Sequence, residues 1–161
     1  MIFVTVGTQL PFDRLVAAVD AWAAGRAGAP EVLAQVGAGR DDFSSLKCVR
    51  RLDGAGYAAA IDKAELIVAH AGTGSILTAL DEGIPIVVMP RDHRRGEHRD
   101  DHQIQTARQL EKLGLVRVAW DEHALPGLVE ELLATPAPRV PRRHDPSLVN
   151  FMREYLLGVL R

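Results

Sequence analysis

The sequence predicts an α/β fold: a doubly wound, parallel, Rossmann-like sheet with helices on both of its faces. Three observations predict it. Short runs of apolar and β-branched residues alternate with longer helical patterns along most of the 161 residues. The strand-like runs are almost continuously apolar, as in parallel strands that are covered on both faces. Turn residues, mostly glycine and charged residues, separate one element from the next.

Six strands and five helices are expected before residue 135. The predicted strands are Ile2–Val6, Val32–Val36, Leu46–Val49, Leu66–Ala69, Ile84–Pro90 and Leu115–Ala119. The predicted helices run over about Arg14–Ala24, Tyr57–Ala64, from Ser75 to Glu82, Asp101–Leu113 and Glu122–Ala134. In the fourth helix the 3.6-residue spacing places Ile104, Ala107, Leu110 and Leu113 on the inward face.

The end of the chain departs from this pattern. Residues 1–134 are predicted to form one domain, and residues 135–145 are rich in proline and arginine, which is typical of an extended linker. Asp145 and Pro146 then provide an N-cap and a first-turn proline for a last helix over residues 146–161. That helix carries one apolar stripe, so we expect another surface to cover it.

Composition excludes several classes of function. The net charge of −2 removes the general electrostatic case for nucleic acid as a partner. Cys48 is the single cysteine, which excludes an internal disulfide framework and a cysteine-rich zinc site. No stretch is long and apolar enough to span a bilayer, and no signal peptide precedes the first strand. A cytoplasmic protein is therefore expected.

The strongest local signal is the segment His70–Ser75, which joins the fourth strand to a helix. Gly72 and Gly74 let the backbone approach a ligand closely, and Thr73 and Ser75 add hydroxyl groups. The free N–H groups of the helix N-terminus favour an anion, so the segment predicts a phosphate or diphosphate site. No lysine follows Gly74, so it is not a Walker A loop. An ordinary strand-to-helix turn is the alternative.

Two further segments are candidates for ligand binding. Gly7 and Thr8 follow the first strand and can reach the same ligand. Residues 91–103 are rich in histidine and acidic residues, and His98 and His102 lie four apart, on one helix face. A metal-binding motif of the zincin type needs Glu after the first His, but Arg99 stands there. Hydrogen bonding to sugar hydroxyls is expected rather than metal binding, and a solvated charged loop is the alternative.

Four segments together resemble a known family. They are Ile2–Asp13, His70–Leu77, Pro85–Pro90 and Gly96–Gln103. In this order they resemble the donor-binding C-terminal domain of MurG-like glycosyltransferases. More narrowly, they are similar to the stand-alone EpsE/PssE-type subunits of bacterial exopolysaccharide synthesis. The resemblance covers about residues 1–118 and implies one Rossmann-like half of a GT-B enzyme, the half that holds a nucleotide-sugar donor.

The resemblance implies a role for each matching residue. Gly7 and Thr8 would line the diphosphate, which His70, Gly72, Thr73, Gly74 and Ser75 would bind. Gln103 would contact the donor sugar, with His102 and Glu97 in the same motif. His70 or His98 would be the catalytic base, unless another subunit supplies it. Larger relatives have a ribose-binding glutamate where this chain has Thr78; Asp81 or Glu82 would have to replace it. The uracil would lie near Arg51–Asp53.

The function that the resemblance implies is inverting, metal-independent transfer from a UDP-sugar to a lipid-linked acceptor, with no cofactor. A membrane-anchored PssD/EpsD-like partner would supply the missing half and hold the chain at the inner face of the plasma membrane. In the absence of that partner the chain would form a homodimer. Two alternatives stay open: a non-catalytic nucleotide-sugar-binding or regulatory module, and a flavodoxin-like phosphate-binding domain.

Overall fold

The computed structural model describes residues 1–8 and 10–135. Gln9, the predicted last helix and all of the predicted linker except Thr135 lie outside them. The strands are β1 (Ile2–Thr5), β2 (Val32–Gln35), β3 (Lys47–Val49), β4 (Leu66–His70), β5 (Ile86–Met89) and β6 (Arg117–Val118). All pair in parallel in the order β3-β2-β1-β4-β5-β6. The predicted doubly wound α/β fold is confirmed.

Helices cover both faces of the sheet. They are α1 (Asp13–Ala24), α2 (Gly54–Lys63), α3 (Thr73–Asp81), α4 (His102–Lys112) and α5 (Leu125–Ala134), with a short 3₁₀ helix at His93–Arg95. The side chains of α1 and α5 pack into one hydrophobic core, and those of α2, α3 and α4 pack into a second core on the opposite face. Within the described residues, no helix combines the length and apolar character needed to cross a membrane.

Successive side chains of a strand point to opposite faces of the sheet, and this alternation explains why the strand sequences are continuous apolar runs. All four residues of β1 are buried. Ile2 and Val4 face the core of α1 and α5, whereas Phe3 between them faces the core of α2, α3 and α4. A strand that contributes to two cores has no side left for solvent, so apolar residues occupy both sets of positions.

Several element ends differ from the prediction, and two of the differences have an identifiable cause. The second helix begins earlier, at Gly54, because the Asp53 carboxylate caps it by accepting from the Gly56 N–H at 2.7 Å. Leu113 was expected to face inward, but it is 52% exposed. The helix has ended by then, and the chain turns away at Gly114, whose φ of +66° lies in the left-handed region.

The sheet topology determines where a ligand can bind. The crossovers lead from β1 outward to β2 and β3, and from β4 outward to β5 and β6, so the strand order reverses between β1 and β4. The loops after these two strands therefore diverge and leave a crevice at the carboxyl edge of the sheet. Gly7 and Thr8 follow β1, and the turn containing Gly72 follows β4.

Candidate functional site

A cavity of about 1050 Å³ lies at the carboxyl edge of the sheet. Four chain segments line it: the loop after β1, the loop from β3 into α2, the β4–α3 turn, and the β5–α4 loop with the start of α4. Its volume is at the upper end of the range for small-molecule sites. The cavity combines backbone groups of tight turns with hydroxyl, amide, imidazole and guanidinium side chains.

Every predicted site residue except Glu97 lines this cavity. The residues that share it are Gly7, Thr8, His70, Gly72, Thr73, Gly74, Ser75, His98, His102 and Gln103. Three separate sequence segments thus converge because their strands are neighbours in the sheet. Their proximity is established, and the role of each residue toward a ligand stays a prediction.

The β4–α3 turn presents unpaired backbone donors. Gly72 is the N-cap of α3 and has extended backbone angles, and no side chain caps the helix. The N–H groups of Thr73, Gly74 and Ser75 belong to the first helical turn, where no intrahelical acceptor exists. No other group in the described part of the chain accepts from them. This turn therefore offers N–H donors and the positive end of a helix dipole to the cavity.

The imidazole of His70 explains two of the glycines. A Cβ at Gly72 would lie 2.1 Å from His70 Nε2, and a Cβ at Gly7 would lie 2.8 Å from His70 Cε1. Both separations are shorter than atoms tolerate. Gly7 also has a φ of +77°, which side chains rarely adopt. By contrast, a Cβ at Gly74 would meet open space. Gly7 and Gly72 are thus needed by the fold itself, whereas Gly74 is not.

His70 is neutral at neutral pH. Burial, and then the positive charge of Arg91, lowers its pKa to about 4, and a backbone group of Thr5 opposes the shift. Nδ1 is buried and has no hydrogen-bond partner among the residues described. An effective general base has a pKa near the working pH. This environment disfavours a protonated His70, and the predicted base roles of His70 and His98 stay predictions.

His98 and His102 form a cluster with Asp100. Their rings meet edge to face with centroids 4.6 Å apart. The Asp100 carboxylate hydrogen-bonds to His102 Nδ1 and lies 3.4 Å from His98 Nδ1, while the Asp100 backbone N–H donates a hydrogen bond to His98 Nδ1. The ligating atoms lie within 4.8 Å of one another, as metal ligands do. These hydrogen bonds already account for the arrangement without an ion.

Glu97 is directed away from the cavity. Its carboxylate accepts from Arg14 Nε at 2.7 Å and Nη2 at 2.9 Å, and also from the Asp92 N–H at 2.9 Å. Both side chains of the Glu97–Arg14 pair are largely buried. Glu97 is therefore not among the residues that line the cavity, because its oxygens are bonded to these partners, and its predicted role toward a substrate stays a prediction.

Gln103 and Arg91 lie together at the floor of the cavity. Gln103 is 4% exposed, and its Oε1 accepts from the Arg91 backbone N–H at 3.2 Å. Its Nε2 has no partner within the described residues, so this amide group remains a donor for a ligand. The sequence reasoning missed Arg91 because it stands at the start of a charged loop. Its position directly after an apolar strand was the available signal.

The stretch expected near the uracil also lines the cavity, and its role toward a nucleoside stays a prediction. Arg51, Leu52, Asp53 and Tyr57 line the cavity, and so does Thr78. Neither Asp81 nor Glu82 is among the lining residues, and replacement of the ribose-binding glutamate of larger relatives by either one stays a prediction. The Asp53 carboxylate already caps α2.

Fold and cavity together define a class of protein: an open, doubly wound parallel sheet with a cavity at its switch point, where proteins of this class bind their ligands. Comparison of the sequence with models of known protein families identifies one family. The model of the glycosyltransferase family 28 C-terminal domain matches residues 1–149, and the chain belongs to this family.

Curated relatives include the UDP-N-acetylglucosamine transferase subunit ALG13 of Homo sapiens, 35% identical over 124 residues, and that of Mus musculus, 34% identical over 123. Each match covers 70% of this chain but only 10% of the relative's length.

Solved structures show the same fold. An NMR structure of ALG13 has a TM-score of 0.64 at 23% identity, with 93% of both chains covered. The MurG of Acinetobacter baumannii has a TM-score of 0.59 at 20% identity, with 81% of this chain and 40% of that one covered. At such identities the likeness concerns the fold alone. It confirms the predicted GT-B half.

Proposed function

We propose that this chain is the donor-binding subunit of an inverting, metal-independent glycosyltransferase that moves a sugar from a UDP-sugar to a lipid-linked acceptor. The β4–α3 turn carries the proposal. Three of its backbone N–H groups have no acceptor among the described residues, and Thr73, Gly74 and Ser75 line the same cavity as Gln103. A diphosphate fits the turn, and the sugar attached to it would reach Gln103.

The reaction is a direct displacement at the anomeric carbon. The acceptor oxygen forms a bond to that carbon while the bond to the diphosphate oxygen breaks, and UDP leaves. The backbone N–H dipoles stabilise the charge that develops on the leaving group. A base takes the proton of the acceptor hydroxyl. His98 is the candidate in this chain, because it lines the cavity and the Asp100 carboxylate pairs with it; a partner subunit is the other source.

The acceptor side would come from another polypeptide. A GT-B enzyme has two halves, and the described residues form one sheet that corresponds to one of them. The name of the human relative describes it as a transferase subunit. By analogy, we propose a membrane-anchored PssD/EpsD-like partner, a cytoplasmic location at the inner face of the plasma membrane, and a role in bacterial exopolysaccharide synthesis.

Deletion of Pro146–Arg161 tests the partner proposal. The apolar stripe predicted for this segment would dock on the partner. We expect the shortened chain to bind UDP like the full chain but to lose co-purification with a co-expressed partner from membranes. A shortened chain that assembles fully, or one that no longer folds, would instead indicate that the segment belongs to its own domain.

The donor-site proposal is tested by paired glycine substitutions. Gly74→Val places a branched side chain in the cavity, whereas Gly127→Val makes the same change in the first turn of α5, outside the cavity. Neither new Cβ would meet an atom within 4 Å, so both variants should fold. Calorimetry should show that Gly74→Val abolishes UDP binding and Gly127→Val leaves it intact. UDP should bind in preference to UMP, FMN and NAD, with or without EDTA.

Thr78 favours a second candidate, a nucleotide-sugar-binding module without catalysis. The residue lines the cavity where larger relatives have the ribose-binding glutamate. Such a module would bind UDP-sugar yet transfer no sugar when it is reconstituted with its partner, whereas a catalytic subunit would transfer it. UDP binding that survives Gly74→Val would remove both candidates, since both depend on the same turn.

A further inference from the structure

Arg91 is a buried cation that bonds to backbone on two sides of the cavity. It is 2% exposed. Nη2 donates to the carbonyl oxygens of Val6 at 2.8 Å and Leu10 at 2.7 Å, and Nη1 donates to those of Pro11 at 2.6 Å and Glu97 at 3.2 Å. Three of these carbonyls belong to the β1–α1 loop and one to the β5–α4 loop.

Carbonyl oxygens, and no carboxylate, make these direct contacts. The guanidinium also lies 4.6 Å from the centroid of the Phe12 ring. Burial lowers the pKa of Arg91, although the Glu97 charge opposes this. An arginine stays charged in proteins, so removing this side chain from water carries a cost. A planar fork with several fixed donors can satisfy four separate carbonyls at once, which the single ammonium of lysine cannot.

The position of Arg91 after β5 allows its side chain to connect two loops across the switch point of the sheet. It follows β5, and its fork reaches the loop after β1, although β4 lies between these two strands. It therefore spans the switch point next to His70. Its own N–H donates to Gln103 Oε1. One residue thus connects the loop containing Gly7 and Thr8 to the residue expected to contact the sugar.

We propose that Arg91 is a positioning residue, which holds Val6, Leu10 and Pro11 and residues 97–103 at the separation that a nucleoside diphosphate sugar requires, while within the described residues its Nη donors bond only to backbone. The expected effect of Arg91 on UDP affinity rests on the proposed function. Its expected effect on the position of the two loops does not depend on that function. A positioning role also explains why so polar a group is buried at the carboxyl end of an apolar strand.

Two substitutions separate geometry from charge. Arg91→Lys keeps the positive charge but loses the fork, and Arg91→Met loses both. Arg94→Met is the control, because Arg94 lies in the same loop, is 75% exposed and pairs with Asp92. Three quantities are measured on the full chain: UDP affinity by calorimetry, amide hydrogen exchange of residues 6–10 and 97–103, and the pKa of His70 by NMR titration.

Lys and Met at position 91 should both speed amide exchange in the two loops. Both should weaken UDP binding by roughly tenfold to a hundredfold, as expected when one or two hydrogen bonds to the charged ligand are lost. The His70 pKa should rise in the Met variant, which loses the nearby positive charge, and stay low in the Lys variant. The Arg94 control should match the parent in all three measurements.

Other outcomes overturn the proposal. If only the Met variant loses affinity, Arg91 acts through its charge. If amide exchange in both loops stays at the parent rate, Arg91 does not position them. If the parent chain itself binds no UDP, the proposed function fails, and the exchange and titration data still decide the role of Arg91. If both variants fail to fold, NMR of the parent chain tests the proposal instead. Slowly exchanging Nη protons of Arg91 that show nuclear Overhauser contacts to residues 6–11 would support positioning. The absence of such protons would reject it.

Discussion

The β4–α3 turn and the β5–α4 loop line the same cavity but are stabilised in different ways. The turn consists of small residues around a neutral imidazole, and a Cβ at Gly72, or at Gly7 in the neighbouring loop, would overlap the His70 ring. The loop is highly charged, and its two most buried ionic groups, Arg91 and Glu97, are held by partners in a different part of the chain. Steric fit organises the turn, and hydrogen bonds to charged groups organise the loop.

The turn and the loop also differ in how far apart along the sequence their contacting residues lie. Gly72 and His70 are two positions apart, so the pattern that builds the turn is visible in one short segment. The Arg91 bond to Val6 spans 85 positions, and the Arg14 bond to Glu97 spans 83. Taken alone, the charged residues of the loop segment resemble those of a solvent-exposed loop. Local patterns therefore identify the turn, while the loop is organised only once β1 and β5 lie in one sheet.

The largest expected change in unfolding free energy comes from protonating His70. Such a change would show that the turn depends on a neutral imidazole ring. The ordinary histidine pKa is about 6.5 and that of folded His70 is about 4. Between these values the unfolded chain binds more protons, so unfolding free energy falls as pH falls from 6.5 to 4. The expected loss is about 3 kcal/mol, and it is absent above pH 6.5.

Urea denaturation of the parent and His70→Gln at pH 7 and pH 4 measures this effect. The difference between the two proteins removes the contribution of carboxylates that titrate in the same range. The parent should lose about 3 kcal/mol more than the variant. An equal loss in both proteins would mean that His70 is protonated as readily in the folded state as in the unfolded state.

The next effect tests the steric fit of the turn with matched glycines. Gly72→Ala places a Cβ 2.1 Å from His70 Nε2 and should cost about 1–3 kcal/mol of unfolding free energy, as overpacking does. Gly74→Ala, two residues later, meets open space inside a helix and should gain up to about 1 kcal/mol. Urea denaturation measures both. A double variant, His70→Ala with Gly72→Ala, should show no overpacking cost. Equal effects at the two glycines would contradict the contact.

The smallest effect distinguishes binding from positioning in the loop. Gln103→Ala should weaken a UDP-sugar relative to UDP by about 0.5–1.5 kcal/mol, the value of one hydrogen bond. Gln103→Glu keeps an oxygen acceptor for the Arg91 N–H but loses the amide donors. If Nε2 contacts the sugar, both variants should lose the preference for UDP-sugar. If only the Ala variant loses it, Gln103 acts by holding Arg91. Calorimetry with both ligands decides.

Much of the site was predictable because the relevant residues follow apolar strands. The continuous apolar runs predicted the parallel sheet, and parallel strands bring Gly7, His70 and Gln103 to one edge. The fit between His70 and the two glycines was not predictable, since it needs the actual distance between the loops after β1 and β4. The direction of the Glu97 side chain was not predictable either, because its partner Arg14 lies in α1.

The sequence alone determined the fold class, the family resemblance and the turn, because hydrophobic periodicity and glycine spacing are local properties of the chain. The tertiary structure decided which charges are buried and what they contact. It placed Arg91 under four carbonyls, turned Glu97 away from the cavity and lowered the pKa of His70 to about 4. Desolvation and hydrogen bonding depend on what surrounds a group in space, and only the assembled sheet fixes those surroundings.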